Sequence, residues 1–255
     1  MKRVISVSGK GGSGKTTLTA LLLKVMLSKA PNKSILVVDA DPATNLSEVT
    51  GVEVKKTVGT VANKLKKSIE KEELSPYVSK ADVLESWVYE TVIEEEDFDM
   101  LVMGRTEGEG CYCYVNSILT RILDTLTKNY DITLMDMEAG LEHLSRRTDR
   151  DLDALIIVTD PSKMGLKTTE RIRKLAAEVH INVKGIYLVG NQFPAEMDEF
   201  LRDYAKEIDT EYAGIIPIDS NIAHYNVMGR SLLELPEDSP AVKVAENIAR
   251  RIELL

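Results

Sequence analysis

Three features of the chain predict an α/β fold, a doubly wound and mainly parallel sheet with helices on both faces. Short apolar runs of strand length alternate with longer stretches of helical spacing along the chain. Several of those runs, such as Ser34-Ile35-Leu36-Val37-Val38, lack polar alternation, as strands covered on both faces do. A glycine-rich loop joins the first run to the first helical stretch. With 255 residues and 44% hydrophobic content, a sizeable core and one domain spanning 1–255 are expected, two small domains being the alternative.

The first expected strand is Val4-Ile5-Ser6-Val7-Ser8 and the first helix runs from Leu18 to Leu27. Between them, Gly9-Lys10-Gly11-Gly12-Ser13-Gly14-Lys15-Thr16-Thr17 fits the template G-x-x-x-x-G-K-[ST] at Gly9, Gly14, Lys15 and Thr16. The glycines let backbone N–H groups turn inward around phosphate oxygens, and the helix start adds positive potential. Gly11, Gly12, Ser13, Gly14, Lys15, Thr16 and Thr17 are therefore the expected nucleotide-binding residues. Lys15 is placed to reach the β- and γ-phosphates and the Thr16 hydroxyl to join a Mg²⁺ shell.

Lys10 is a second lysine that this template does not need, and its stem starts across the loop from Lys15. In this it resembles the deviant P-loop ATPases (MinD, ParA, the arsenite-pump ATPase and the nitrogenase iron protein). The resemblance implies a MinD-like P-loop fold and an ATP sandwich dimer, in which Lys10 reaches the facing subunit's phosphates.

Next in order, the strand from Ser34 ends in Asp39-Ala40-Asp41-Pro42. Two carboxylates at a strand's C-terminal end beside a phosphate loop suit metal and water chemistry. The same resemblance makes this stretch switch I, with Asp41 orienting the attacking water and Asp39 supporting Mg²⁺ through water. Asp41 also reads as a helix N-cap with Pro42 at the first helical position. Thr57 to Glu73 and Val83 to Glu96 read as charged helices with solvated faces, and Phe98 to Gly104 as the next strand.

Cys111-Tyr112-Cys113 lies on a glycine-flanked loop running into a helix expected from about Asn116 to Thr127. Both sulfurs can reach one metal ion, and the helix start favours the thiolate form. Soft-metal sites want four ligands. The chain holds only these two cysteines, and His143, His180 and His224 lie elsewhere in the sequence. A second copy across a two-fold axis would complete a Cys₄ site. The alternative is a pair of half-buried apolar cysteines.

Asp131 to Gly140 is a further strand, with Asp136 placed as a Walker B aspartate holding Mg²⁺ through water and Gly140 as a switch II pivot. His143 reads as an ordinary residue of a helix start. Strands at Ala154 to Thr159, Lys184 to Val189 and Ala213 to Pro217 alternate with helices at Met164 to His180 and about Ala195 to Ile208. Asn191 stands at a strand end where it can meet a base edge, the family's adenine-binding position, or cap a turn. Pro217-Ile218-Asp219 would flank the same base. The final amphipathic segment, Pro240 to Leu255, lacks a strongly basic face and is expected to pack on the sheet rather than bind membrane.

The net charge of −9 argues against a general nucleic-acid surface. No apolar run approaches the roughly 20 residues needed to span a bilayer. The first strand is expected from residue 2 or 3, leaving nothing upstream to be cleaved. A C-x-C is too tight for an easy structural disulfide, so a reducing cytoplasm is the expected location.

Taken with the phosphate loop, Cys111-Tyr112-Cys113 and Met135-Asp136-Met137-Glu138-Ala139-Gly140-Leu141-Glu142-His143-Leu144 resemble one subgroup. The chain is similar to the CooC-type nickel-insertion ATPases that mature carbon monoxide dehydrogenase, with relatives serving acetyl-CoA synthase. The resemblance spans nearly the whole chain and is poorest over residues 52–97. It implies a Mg²⁺-dependent ATPase with Lys10, Lys15 and Asp41 as catalytic residues, working as a homodimer. Cys111 and Cys113 would hold Ni²⁺ (or Zn²⁺ in vitro), and apo carbon monoxide dehydrogenase or acetyl-CoA synthase would be the client. Neither nucleic acid nor membrane is an implied partner. The nitrogenase iron protein's cluster uses two separated cysteines per subunit, which this chain lacks. A MinD/ParA-type positioning or partition ATPase is the alternative; an adaptor with a purely structural metal is a third reading.

Overall fold

The computed structural model describes residues 2–71, 77, 79–105, 122–139, 152–178 and 182–255. Its sheet has eight strands among the described residues: β1 (Arg3–Gly9), β2 (Ile35–Asp39), β3 (Ile93–Glu94), β4 (Asp99–Val102), β5 (Ile132–Asp136), β6 (Leu152–Thr159), β7 (Val183–Asn191) and β8 (Glu211–Ile216). Their spatial order is β3-β4-β2-β5-β1-β6-β7-β8, with β1 in the middle. All pairings are parallel except β3 with β4.

Alternation within the strands feeds two cores, because successive side chains leave opposite faces of a sheet. Ile5, Val7, Ile35, Val37, Leu134, Ile156 and Val158 join the layer under α1 (Lys15–Lys29). Val4, Leu36, Val38, Met135, Leu155 and Ile157 join the layer on the other face. That second layer is closed by α3 (Val58–Glu70), α4 (Lys80–Tyr89) and α5 (Lys163–Glu178) through Val58, Leu65, Leu84, Val88, Ile172 and Ala176. A short α2 (Asn45–Thr50) follows β2.

On the first face, α1 buries residues around its whole circumference, Leu18 and Ala20 to Val25 among them, as a helix enclosed on all sides must. Its outer cover is α8 (Pro240–Arg251), which packs on α1 and β8 through Ala241, Val242, Ala245, Ile248 and Ala249. Each fully buried Val or Ile there contributes about 1.5–3 kcal/mol. The remaining elements are α6 (Asp198–Glu207), entered through a 3₁₀ turn at Ala195–Met197, and α7 (Ser220–Met228). Residues 122–127 are also helical. Among the described residues no helix is long and apolar enough to cross a membrane.

The helices Asn45–Thr50 and Ser220–Met228 were not expected from the sequence, and one expected helix is replaced. Val83 to Glu96 is not a continuous helix: α4 ends at Tyr89, and Ile93–Glu94 turns back to pair antiparallel with β4, Ile93 opposite Met100. The β-branched run Thr91-Val92-Ile93 favours extended backbone, and the Glu95 N–H bond to the Phe98 carbonyl closes the hairpin.

Candidate nucleotide site

The site lies along the C-terminal ends of the central strands, where open α/β sheets leave a crevice. At the end of β1, Gly9 is pinned against β6: a Cβ there would stand 2.3 Å from the Val158 carbonyl oxygen. The loop then turns through Gly12 at φ 79° and reaches the N-cap Gly14 at φ 94°, a left-handed backbone that glycine adopts without strain. No side chain caps α1. Its first-turn N–H groups are thus left to whatever anion enters the loop. Gly11 and Gly12 are exposed, Ser13 is buried, and Thr16 and Thr17 are half-buried at the helix start.

Three acids face this helix start. Lys15, only 5% exposed, has its Nζ 3.4 Å from the Asp41 carboxylate. The Thr16 hydroxyl donates to Asp136 Oδ2 at 2.6 Å. Asp39 and Asp136 are register partners on β2 and β5, both fully buried. Burial, reinforced by Asp136, pushes the Asp39 carboxyl up to about 7, although the N–H groups of Leu46 and Asp41 bond to it. Burial likewise lifts Asp136 to about 6, against the Thr16 hydroxyl and the Lys15 charge. Asp136 Oδ1 finds no partner among the described residues. Two buried carboxylates with raised pKa values and an orphan oxygen beside a threonine hydroxyl form a donor set that suits a hard cation.

Asp41 is not a helix N-cap. Its Oδ1 accepts from the Ala43 N–H at 2.9 Å, closing a turn, and α2 starts later, after Thr44 in a left-handed conformation. The carboxylate of Asp39 takes the N–H of Leu46 instead. Pro42 lies in the turn, and its carbonyl accepts from Arg105 Nε at 3.3 Å.

Lys10 turns away from Lys15. Its Nζ lies 3.0 Å from Asp160 Oδ2 and 3.5 Å from Ser162 Oγ, just past the end of β6. Burial raises the Asp160 carboxyl, but hydrogen bonds from Ser162 and Lys10 outweigh it and hold the group below the ordinary carboxylate range. Sequence reasoning missed Asp160 and Ser162. The available signal was Asp160-Pro161 at a strand end, the same pair of residues as Asp41-Pro42.

Asn191, expected at a base edge or as a turn cap, is the last residue of β7, and its Nδ2 donates one hydrogen bond to the Ser13 carbonyl at 2.9 Å. Pro217 is half-buried beyond β8. The Asp219 carboxylate is committed within the fold: it accepts from the N–H groups of Asn221 and Ala241 and from the Ser239 hydroxyl, tying the start of α7 to the start of α8. Cys111 and Cys113, with Gly140, His143 and His180, lie outside the described residues.

Comparison with known proteins agrees with this fold. A family model described as AAA domain matches residues 2–185. An uncharacterized ATP-binding protein of Methanocaldococcus jannaschii is 49% identical, covering 98% of each chain. The carbon monoxide dehydrogenase accessory protein CooC of Rhodospirillum rubrum is 29% identical over 94% of this chain and 91% of its own. Among solved structures, the septum site-determining protein MinD of Pyrococcus horikoshii, complexed with Mg-ADP, superposes with a TM-score of 0.69 at 24% identity, covering 99% and 96% of the two chains.

Proposed function

This chain belongs to the AAA domain family and is a P-loop ATPase of MinD/ParA-like fold, and from that premise we propose that it is an ATP-dependent nickel-insertion accessory protein. In this reading one ATPase domain spans residues 1–255 and works as a homodimer. The cargo ion sits on Cys111 and Cys113 of both subunits and passes to the apo-enzyme of carbon monoxide dehydrogenase or acetyl-CoA synthase. The observation that carries the reading is a C-x-C pair in a chain whose likeness to CooC runs over 94% of its length.

The geometry of the loop and its acids supports a simple ATPase mechanism. Lys15 is paired with Asp41. The β- and γ-phosphates of ATP, cradled by the backbone of residues 11 to 16, offer Lys15 a stronger anionic partner. Asp41 is thereby released to accept a hydrogen bond from the attacking water and to orient it. The donor set fits Mg²⁺, which Thr16, Asp39 and Asp136 would hold, the Thr16 hydroxyl directly and the two carboxylates through water. When bound, that ion neutralises charge on the transferring phosphoryl group. Lys10 leaves Asp160 to contact the phosphates bound by the facing subunit. Contacts made only in the closed dimer then bias the position of the four thiolates, and hydrolysis removes that bias.

Metal analysis of anaerobically purified protein, without nucleotide, with ADP and with ATP, tests this. One Ni²⁺ or Zn²⁺ per dimer is expected, absent in Cys111→Ala and Cys113→Ala, with an affinity that depends on the nucleotide and falls in acid as thiolates protonate. One ion per monomer, or unchanged binding in Cys113→Ala, contradicts the intersubunit tetrathiolate. Metal-free protein with full ATP turnover would favour the MinD/ParA-type positioning or partition reading.

A further inference from the structure

We infer that Asn191 is a positioning residue for the phosphate loop, fixing the orientation of the Ser13–Gly14 peptide whatever base the nucleotide carries. Its Nδ2 holds the Ser13 carbonyl at 2.9 Å. The described chain contains no cis peptide bond, and in a trans peptide the N–H points opposite to the C=O. A Ser13 carbonyl drawn toward Asn191 therefore directs the Gly14 N–H away from it. That N–H stands at the start of α1, where no side chain provides a cap. The strand-end amide thus aims a backbone donor of the phosphate cradle, without itself needing to touch the ligand.

The surroundings suit this task. A Cβ on Gly14 would lie 2.2 Å from Asn191 Nδ2, so amide and loop backbone are in direct contact and only glycine fits between them. Asn191 is carried by the sheet: it is in register with Ile216, and the next residue, Gln192, is fastened to the Ile216 carbonyl at 2.9 Å. The brace is therefore as stiff as the β7–β8 pair. The Ser13 side chain does not share the work, since its buried Oγ has no partner among the described residues. In water a flexible glycine loop samples many peptide orientations, and selecting one before the ligand arrives removes an ordering cost from binding.

This inference rests on the nucleotide reading of the loop and predicts something that a base contact does not. Asn191 should matter even for a ligand that has no base. Isothermal titration of the full-length protein with MgATP and with Mg-tripolyphosphate, which has no base, makes the comparison. Two variants are used at matched folded fraction, read from their apo thermal transitions. Asn191→Ala should weaken tripolyphosphate about tenfold, for one lost hydrogen bond and a looser loop, and MgATP by at least that factor. Asn191→Asp keeps an acceptor oxygen for a base amino group but loses the donor, and should weaken both ligands at least as much. A loss confined to ATP, or wild-type tripolyphosphate affinity in Asn191→Asp, overturns the inference. Wild-type ATP binding in the same titrations tests the nucleotide reading separately.

Discussion

Lys15 and Lys10 leave the same loop and end on matching partners, each an aspartate followed by proline just beyond a strand. Lys15 meets Asp41 after β2, and Lys10 meets Asp160 after β6. The distances are alike, 3.4 Å and 3.0 Å. Exposure separates them: the Lys15 and Asp41 side chains are 6% and 11% exposed, those of Lys10 and Asp160 36% and 24%. Removing one member of a buried pair strands the other and costs several kcal/mol, whereas an open pair is worth about 0–1 kcal/mol. Lys15 can therefore give up Asp41 only to another anion arriving in place. Lys10 can swing away at little cost. One pair is built for substitution and the other for departure, which is what a lysine serving its own phosphates and a lysine serving a neighbour's would each require.

The largest effect should come from breaking the enclosed pair on its cationic side. Lys15→Ala removes charge from the phosphate cradle, and ATP turnover should fall by about 10³ or more in a steady-state phosphate-release assay. Near-normal turnover would remove Lys15 from the chemistry. Asp41→Ala should slow hydrolysis by about 10²–10³ while MgATP still binds, so that an ATP-bound dimer accumulates in sedimentation; a monomer with ATP bound would speak against the water-orienting role.

The open pair predicts smaller changes of opposite sign. Lys10→Ala should weaken ATP-driven dimerisation about tenfold and leave nucleotide binding by the monomer unchanged. Asp160→Asn frees Lys10 and should tighten dimerisation by up to about fivefold. Equal losses of binding and dimerisation in Lys10→Ala would show that both lysines serve the same subunit. Outside the chemistry altogether is a stability effect at the acids beneath Lys15. Asp39 rises from 3.8 to about 7 on folding, so the folded protein binds more protons between those values. Its contribution is complete below about pH 3.8 and is lost as pH climbs through 7. Metal-free, nucleotide-free protein should lose about 1–3 kcal/mol from this source over that range. Asp39→Asn should flatten the slope, as read by urea unfolding at each pH, and an unchanged slope would place the titration elsewhere.

The loop from Gly9 to Thr17 was legible because its function needs glycine and lysine at fixed spacing, and the structure builds it between β1 and α1 as the spacing requires. Apolar runs such as Ile35 to Val38 were legible because parallel strands are buried on both faces. Val83 to Glu96 was misread because a two-residue edge strand is too short to leave a periodic trace, and acidic residues there imitate a helix. Asp160 was overlooked because its role depends on β6 lying beside β1, a long-range adjacency that local sequence does not encode. The bond from Asn191 to the Ser13 carbonyl was not legible, since nothing in a strand-end asparagine tells which loop its amide will meet. Cys111 and Cys113 rest on the sequence alone.

The enclosure of α1 has a mechanical consequence. Leu18 to Met26 are sealed between the sheet on one side and α8 on the other, so the helix can neither slide nor tilt without repacking both layers. Close-packed interiors resist such small displacements. The helix that receives the phosphate is thus an anvil rather than a lever. A change of nucleotide would then be felt sideways, along the carboxyl rim of the sheet at the turns after β2 and β6 that carry Asp41 and Asp160. A part that reports whether ATP is present can take its signal from those turns.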